Sequence, residues 1–95
     1  MIESFKHKGL AQFWYKNDAR KLDARMMKRI TVRLEALDAA TAPEDMNIPG
    51  WNFHPLQGNK KNEPVVYSIH VNGPWCITFE FEEGDACRVD LDQYH

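Results

Sequence analysis

Residues 65–82 read Val-Val-Tyr-Ser-Ile-His-Val-Asn-Gly-Pro-Trp-Cys-Ile-Thr-Phe-Glu-Phe-Glu, and the period of this stretch decides the fold. Val65, Tyr67, Ile69 and Val71 alternate with Val66, Ser68 and His70. Trp75, Ile77, Phe79 and Phe81 alternate with Cys76, Thr78, Glu80 and Glu82. A period of two marks strands that bury one face and leave the other open. Asn72-Gly73-Pro74 between them has the length and composition of a tight hairpin loop. Pairing Val71 with Trp75 across that loop sets His70 opposite Cys76. Glu83-Gly84-Asp85 turns the chain again into a third strand over about residues 86–91. The face away from the core then presents His70, Cys76, Thr78, Glu80 and Arg88, and Cys87 falls on the core side.

Towards the N-terminus the period lengthens. Residues 8–16 form a helix on which Leu10, Phe13 and Trp14 share a face. A polar connection follows over residues 17–22. Asp23 caps the longest helix, about residues 24–40, whose Met26, Met27, Ile30, Leu34 and Leu37 make one apolar stripe. Arg25, Arg29 and Arg33 recur at intervals of four and make a guanidinium stripe on another face, a candidate partner-binding surface. Residues 2–5 read as a first strand. Residues 41–50, with Pro43, Pro49 and Gly50, are a turn region, and residues 53–56 read as a further short strand. The expected architecture is α+β in the order β-α-α-β-β-β(-β), an antiparallel sheet with two helices packed on one face, as a single domain over residues 1–95.

Composition narrows the function classes. At 95 residues, 43% hydrophobic and 27% charged, the chain is that of an ordinary globular domain. Cys76 and Cys87 are its only cysteines and form no CxxC, so neither a zinc site nor a disulfide scaffold is expected. Residues 1–10 lack the apolar segment of a signal peptide, and no apolar run approaches a membrane span, so a cytoplasmic protein without membrane association is expected. The net charge of −2 hides a division. Residues 6–33 carry nine basic side chains against two acidic ones; the remainder carries three basic against twelve acidic. A basic half suits phosphates or an acidic partner surface.

Six segments in register along the whole chain resemble the HigB, or killer-protein, branch of the RelE/ParE toxin superfamily. They are the opening Ile2-Glu3-Ser4-Phe5-Lys6-His7-Lys8-Gly9-Leu10; Leu34-Glu35-Ala36-Leu37-Asp38-Ala39-Ala40-Thr41; His54-Pro55-Leu56 with Gly58; Ser68-Ile69-His70-Val71-Asn72; Trp75, Ile77 and Phe79; and the terminal Asp92-Gln93-Tyr94-His95. The resemblance implies a RelE-like fold and a toxin that cuts messenger RNA on the ribosome. It implies a helix-turn-helix antitoxin of the HigA type that neutralises the toxin, with operator DNA contacted only through that antitoxin. It places the catalytic groups at His54, Tyr94 and His95, with Asp92 beside them.

Those residue types suit the chemistry. RNA brings its own nucleophile, the 2′-hydroxyl, so cleavage needs a base, an acid and a cation to hold charge on phosphorus. Imidazoles serve the first two roles because their unperturbed pKa is about 6.5. His54 and His95 are the candidates, with their order open. Tyr94 could hydrogen-bond the phosphate or stack on a base. No cofactor is expected, and no metal, since metal-ligand spacings such as HxxxH or DxD are absent. Cys76 stands where the resembled branch has an arginine, and losing such a cation would cost about 10²–10³ in rate. Gln57 stands where a basic residue often follows, and Gln93 where an aspartate is usual. Lys60, Lys61, His70 and Arg88 are the candidates to contact RNA in compensation. Two alternatives share the fold: a ParE-like, non-catalytic inhibitor of DNA gyrase, and a catalytically weakened toxin that keeps antitoxin binding and operon regulation.

Overall fold

Two helices precede the strands. A computed structural model describes residues 1–56 and 62–93. Helix α1 spans Lys8–Lys16 and α2 spans Met27–Ala39, the latter entered through a single 3₁₀ turn, Ala24–Met26, that Asp23 caps by accepting the Arg25 N–H. Strands β1 (His54–Pro55), β2 (Tyr67–Asn72), β3 (Trp75–Glu82) and β4 (Asp85–Gln93) follow. Among the described residues they form one antiparallel sheet in the order β1-β2-β3-β4. The α+β class read from the change of period is therefore the observed one.

The core lies between the helices and one sheet face. Leu10 of α1 and Ile30, Leu34 and Leu37 of α2 are fully buried against Ile69, Ile77, Phe79 and Val89. These are the residues the two periodicities assign inward. Trp14 and Trp75 are half-buried at the rim of this cluster. Aromatic rings run from Phe53 over Tyr67 to Phe79, with centroids 5.4 and 5.8 Å apart, and tie the segment before β1 to the sheet centre.

Helix α1 starts with an unusual cap. His7 Nδ1 accepts the Leu10 N–H at 3.1 Å. The same ring lies against Gly9, where an added Cβ would come 2.9 Å from His7 Cε1 and 3.0 Å from Lys21 Cβ. Gly9→Ala must displace the cap or the Lys21 backbone. It is expected to lower stability by about 1–3 kcal/mol, read as a lower Tm by circular dichroism.

Residues 2–5 depart from the expected strand. They run parallel to β4 but touch it only in two isolated bridges, Ile2–Ala86 and Phe5–Val89. The cause is a bulge in β4. Arg88 has a φ of 49°, and the β3–β4 register slips between Thr78 and Glu80. The extra residue interrupts the ladder, and the Arg88 N–H donates to Ser4 Oγ at 2.9 Å instead. Asp38 of α2 secures this N-terminal segment by accepting the Ile2 N–H at 2.9 Å. Asp38→Ala leaves that partly buried donor without its partner and is expected to cost about 1–3 kcal/mol. Urea unfolding would show a lower midpoint at an unchanged m-value.

The bulge also flips a side chain. Cys87 was expected on the core side, yet it pairs with Glu80 on the polar face. One inserted residue exchanges faces for everything before it. Ala86 therefore enters the core, while Cys87 Sγ sits 3.6 Å from Glu82 Oε2. Cys87 is buried all the same. Burial raises its thiol pKa, Glu82 and Glu80 add to the rise and Arg88 opposes it, so it is a poor nucleophile.

Candidate functional site

The polar face of the sheet is organised in cross-strand rows. His54, Ser68, Thr78 and Asp90 form one row, and His70, Cys76 and Asp92 form the next. The His70–Cys76 pairing is the one derived from the loop length. Thr78, expected to be open, is buried, as is Ser68. Both are short side chains in central strands and lie at the floor between taller neighbours. Rows on one face repeat every second residue, so His54 and His70 are diagonal cross-strand neighbours about 7–8 Å apart, with their Cβ atoms somewhat closer.

A groove of about 350 Å³ opens on this face, lined by Asn52, His54, Leu56, Ser68, His70, Gly73 and Cys76. Two imidazoles and a thiol thus share one depression. Each ring is oriented by a backbone carbonyl. His54 Nδ1–H donates to Asn52 O at 2.7 Å, and His70 Nε2–H donates to Gly73 O at 3.0 Å. A carbonyl only accepts, so each contact settles which nitrogen carries the proton in the neutral ring. His54 is left with Nε2 as its lone pair, and His70 with Nδ1. Asn52, with a φ of 49°, and Gly73, with a φ of 53°, turn the backbone so that their carbonyls meet the rings.

Helix α2 braces this site from behind. Arg33 is only 8% exposed; its Nε donates to His70 O at 2.7 Å and its NH1 to Arg29 O at 3.1 Å. Its guanidinium lies 4.6 Å over the Trp51 ring. The His70 N–H donates to Trp51 O at 2.7 Å. One guanidinium therefore locks β2 to the segment that carries His54. Arg29 acts next to it, donating to Val71 O and Asn72 Oδ1 at the mouth of the β2–β3 loop. Burial, and secondarily Arg29, lower the Arg33 pKa, and its two carbonyl acceptors meet the cost of enclosing the charge.

The expected guanidinium stripe is therefore divided. Helical spacing placed Arg25, Arg29 and Arg33 on one solvated face. Arg33 is instead inside, Arg29 reaches the sheet, and Arg25 stays at the surface in a 2.8 Å ion pair with Asp23. That pair and the Arg20–Asp18 pair hold both carboxylates at a pKa of about 2, chiefly through the arginine side-chain hydrogen bonds. Arg88 does not add a free cation to the groove. Its Nε meets Glu80 Oε1 at 2.8 Å and its NH2 meets Glu82 Oε2 at 3.2 Å, and both glutamates raise its pKa.

Asp92 is exposed in the row of His70 and Cys76, where its Oδ1 accepts the Gln93 N–H. Gln93, the last described residue, pairs with Trp75 in β3. Lys60, Lys61, Tyr94 and His95 lie outside the described residues. Asn52, Gly73 and the Arg33–Trp51 brace were not singled out from sequence. Asn52 stands two residues before His54 and Gly73 three after His70, so each imidazole has an αL-prone residue within three positions, the local trace they leave. Among the described residues no three His, Cys, Asp or Glu side chains converge as a metal ligand set, and no helix is long and apolar enough to cross a membrane.

Comparison with known proteins gives a consistent picture. Residues 3–95 match the family model for the RelE-like toxin of the type II toxin–antitoxin system HigB. The chain is 39% identical to the Endoribonuclease HigB of Proteus vulgaris over 95 residues, all of both chains. It is 36% identical to Toxin HigB-1 of Vibrio cholerae over 97 residues, covering 99% of this chain and 98% of that one. It is 27% identical to an uncharacterised Haemophilus influenzae protein, covering 97% of this chain and 90% of the relative.

Proposed function

The chain belongs to the RelE-like HigB toxin family, whose members pair with an antitoxin, and from that premise we propose that it is a ribosome-dependent mRNA endoribonuclease. The observation that carries this reading is the groove in which His54 and His70 present oriented imidazoles beside an exposed carboxylate. The full-length relative named an endoribonuclease supports it.

In the proposed reaction the 2′-oxygen attacks phosphorus, the 2′-O–P bond forms and the P–O5′ bond breaks. His54 Nε2, the lone pair left by the Asn52 contact, takes the 2′-hydroxyl proton. His95 returns a proton to the leaving 5′-oxygen. The products are a 2′,3′-cyclic phosphate and a free 5′-hydroxyl, and the protons balance without a further reactant. Tyr94 donates a hydrogen bond to the phosphate. Asp92 contributes an exposed carboxylate at the end of the His70–Cys76 row. Lys60 and Lys61 follow β1 closely in sequence and contact the RNA backbone. Arg25 is the surface guanidinium offered to the antitoxin, which we propose to be a HigA-type helix-turn-helix protein acting in the cytoplasm.

Expression of the toxin alone, with mapping of mRNA 5′ ends, tests this reading. New ends in register with codons, absent when the antitoxin is co-expressed, are the expected result. Growth arrest with intact mRNA and an induced DNA-damage response would replace the ribonuclease with a gyrase inhibitor. Absence of both would leave a toxin that has lost its activity.

A further inference from the structure

Cleavage through a 2′-hydroxyl builds negative charge on phosphorus, and the groove must answer it with a cation. The described cations nearest the groove are committed elsewhere. Arg88 is held by Glu80 and Glu82, Arg33 by His70 O and the Trp51 ring, and Arg29 by Val71 O and Asn72. Cys76, in the centre of the row, cannot carry positive charge. Apart from His54, the described lining residue able to become cationic is His70.

Resting on the ribonuclease reading, we propose that His70 is a catalytic residue that grips the scissile phosphate as an imidazolium. Its ring is prepared for that task. Gly73 O fixes Nε2–H, while the residue's own N–H and carbonyl are held by Trp51 O and Arg33 Nε. Nδ1 makes no hydrogen bond within the described residues. In the neutral ring it is a bare lone pair that repels a phosphate oxygen. Once protonated, it donates to a non-bridging oxygen while Nε2–H keeps its carbonyl. The side chain opposite it is the small Cys76, which leaves room for the phosphate. His54, its diagonal neighbour one row away at about 7–8 Å, is then spaced to take the 2′-hydroxyl proton of the same nucleotide.

The test is single-turnover cleavage of mRNA on programmed ribosomes at saturating toxin, with wild type, His70→Gln and His70→Lys. His70→Gln is expected to lower the cleavage rate about 10²–10³-fold, with ribosome binding changed little. His70→Lys restores positive charge without an imidazole and is expected to recover at least tenfold of the loss. Tm values of the three proteins show that each is folded. Wild-type rates for His70→Gln would overturn the proposal while leaving the ribonuclease reading intact. So would a folded His70→Lys no faster than His70→Gln. An inactive wild type on ribosomes would overturn both.

Discussion

His54→Ala is expected to lose mRNA cleavage by about 10²–10⁴-fold, the usual contribution of a positioned proton acceptor, while melting at the temperature of the parent. Both halves follow from its placement. His54 is exposed on a two-residue strand, and among the described residues its ring makes one hydrogen bond, to Asn52 O, so removing it opens no cavity. That bond also directs the proton to Nδ1, so Nε2 is the atom chemistry loses. His54→Gln keeps a side chain of similar reach but has no lone pair basic enough to take a proton. It is expected to be as inactive as His54→Ala. Cleavage on programmed ribosomes and a thermal melt of each variant check the pair of statements. Residual activity within tenfold of the parent would remove His54 from the chemistry.

Arg33→Leu is expected to destabilise the fold by about 2–4 kcal/mol. The substitution leaves the enclosed His70 carbonyl without its guanidinium donor, takes a second donor from Arg29 O and removes the cation from the Trp51 face. For a domain of this size that corresponds to a Tm lower by roughly 10–30 °C. Arg25→Ala, in the 3₁₀ turn that leads into α2, breaks only an exposed ion pair and is expected to leave the Tm almost unchanged. Arg33→Leu also loosens the Trp51–Pro55 segment on β2, leaving the Trp51–His70 bond and the β1–β2 pairing to hold it. Cleavage is therefore expected to fall further than the unfolded fraction explains when measured well below the Tm. Equal melting of Arg33→Leu and Arg25→Ala would show that the brace carries no weight.

Both arginines fit the same helical spacing, and this shows where sequence reading stops. An interval of four says that two residues share a helix face; it does not say what stands in front of that face. Trp51 and the His70 carbonyl reach Arg33 from 18 and 37 positions away. No local pattern announces them. The Cys87 expectation failed for a related reason. Alternation is a reliable ruler only while each residue faces one partner, and the αL residue Arg88 adds one without altering the apolar count.

The sequence alone determined what depends on neighbours along the chain: the helical stripe of Ile30, Leu34 and Leu37, the alternating strands, the hairpin that sets His70 opposite Cys76, and the family. Tertiary structure alone decided which charges are free. It enclosed Arg33 against Trp51 and the His70 carbonyl, and it bound Arg88 to two glutamates of the neighbouring strand. The enclosure of Arg33 comes from atoms that meet only when distant segments pack, where desolvation makes each unpaired polar group too costly to leave alone.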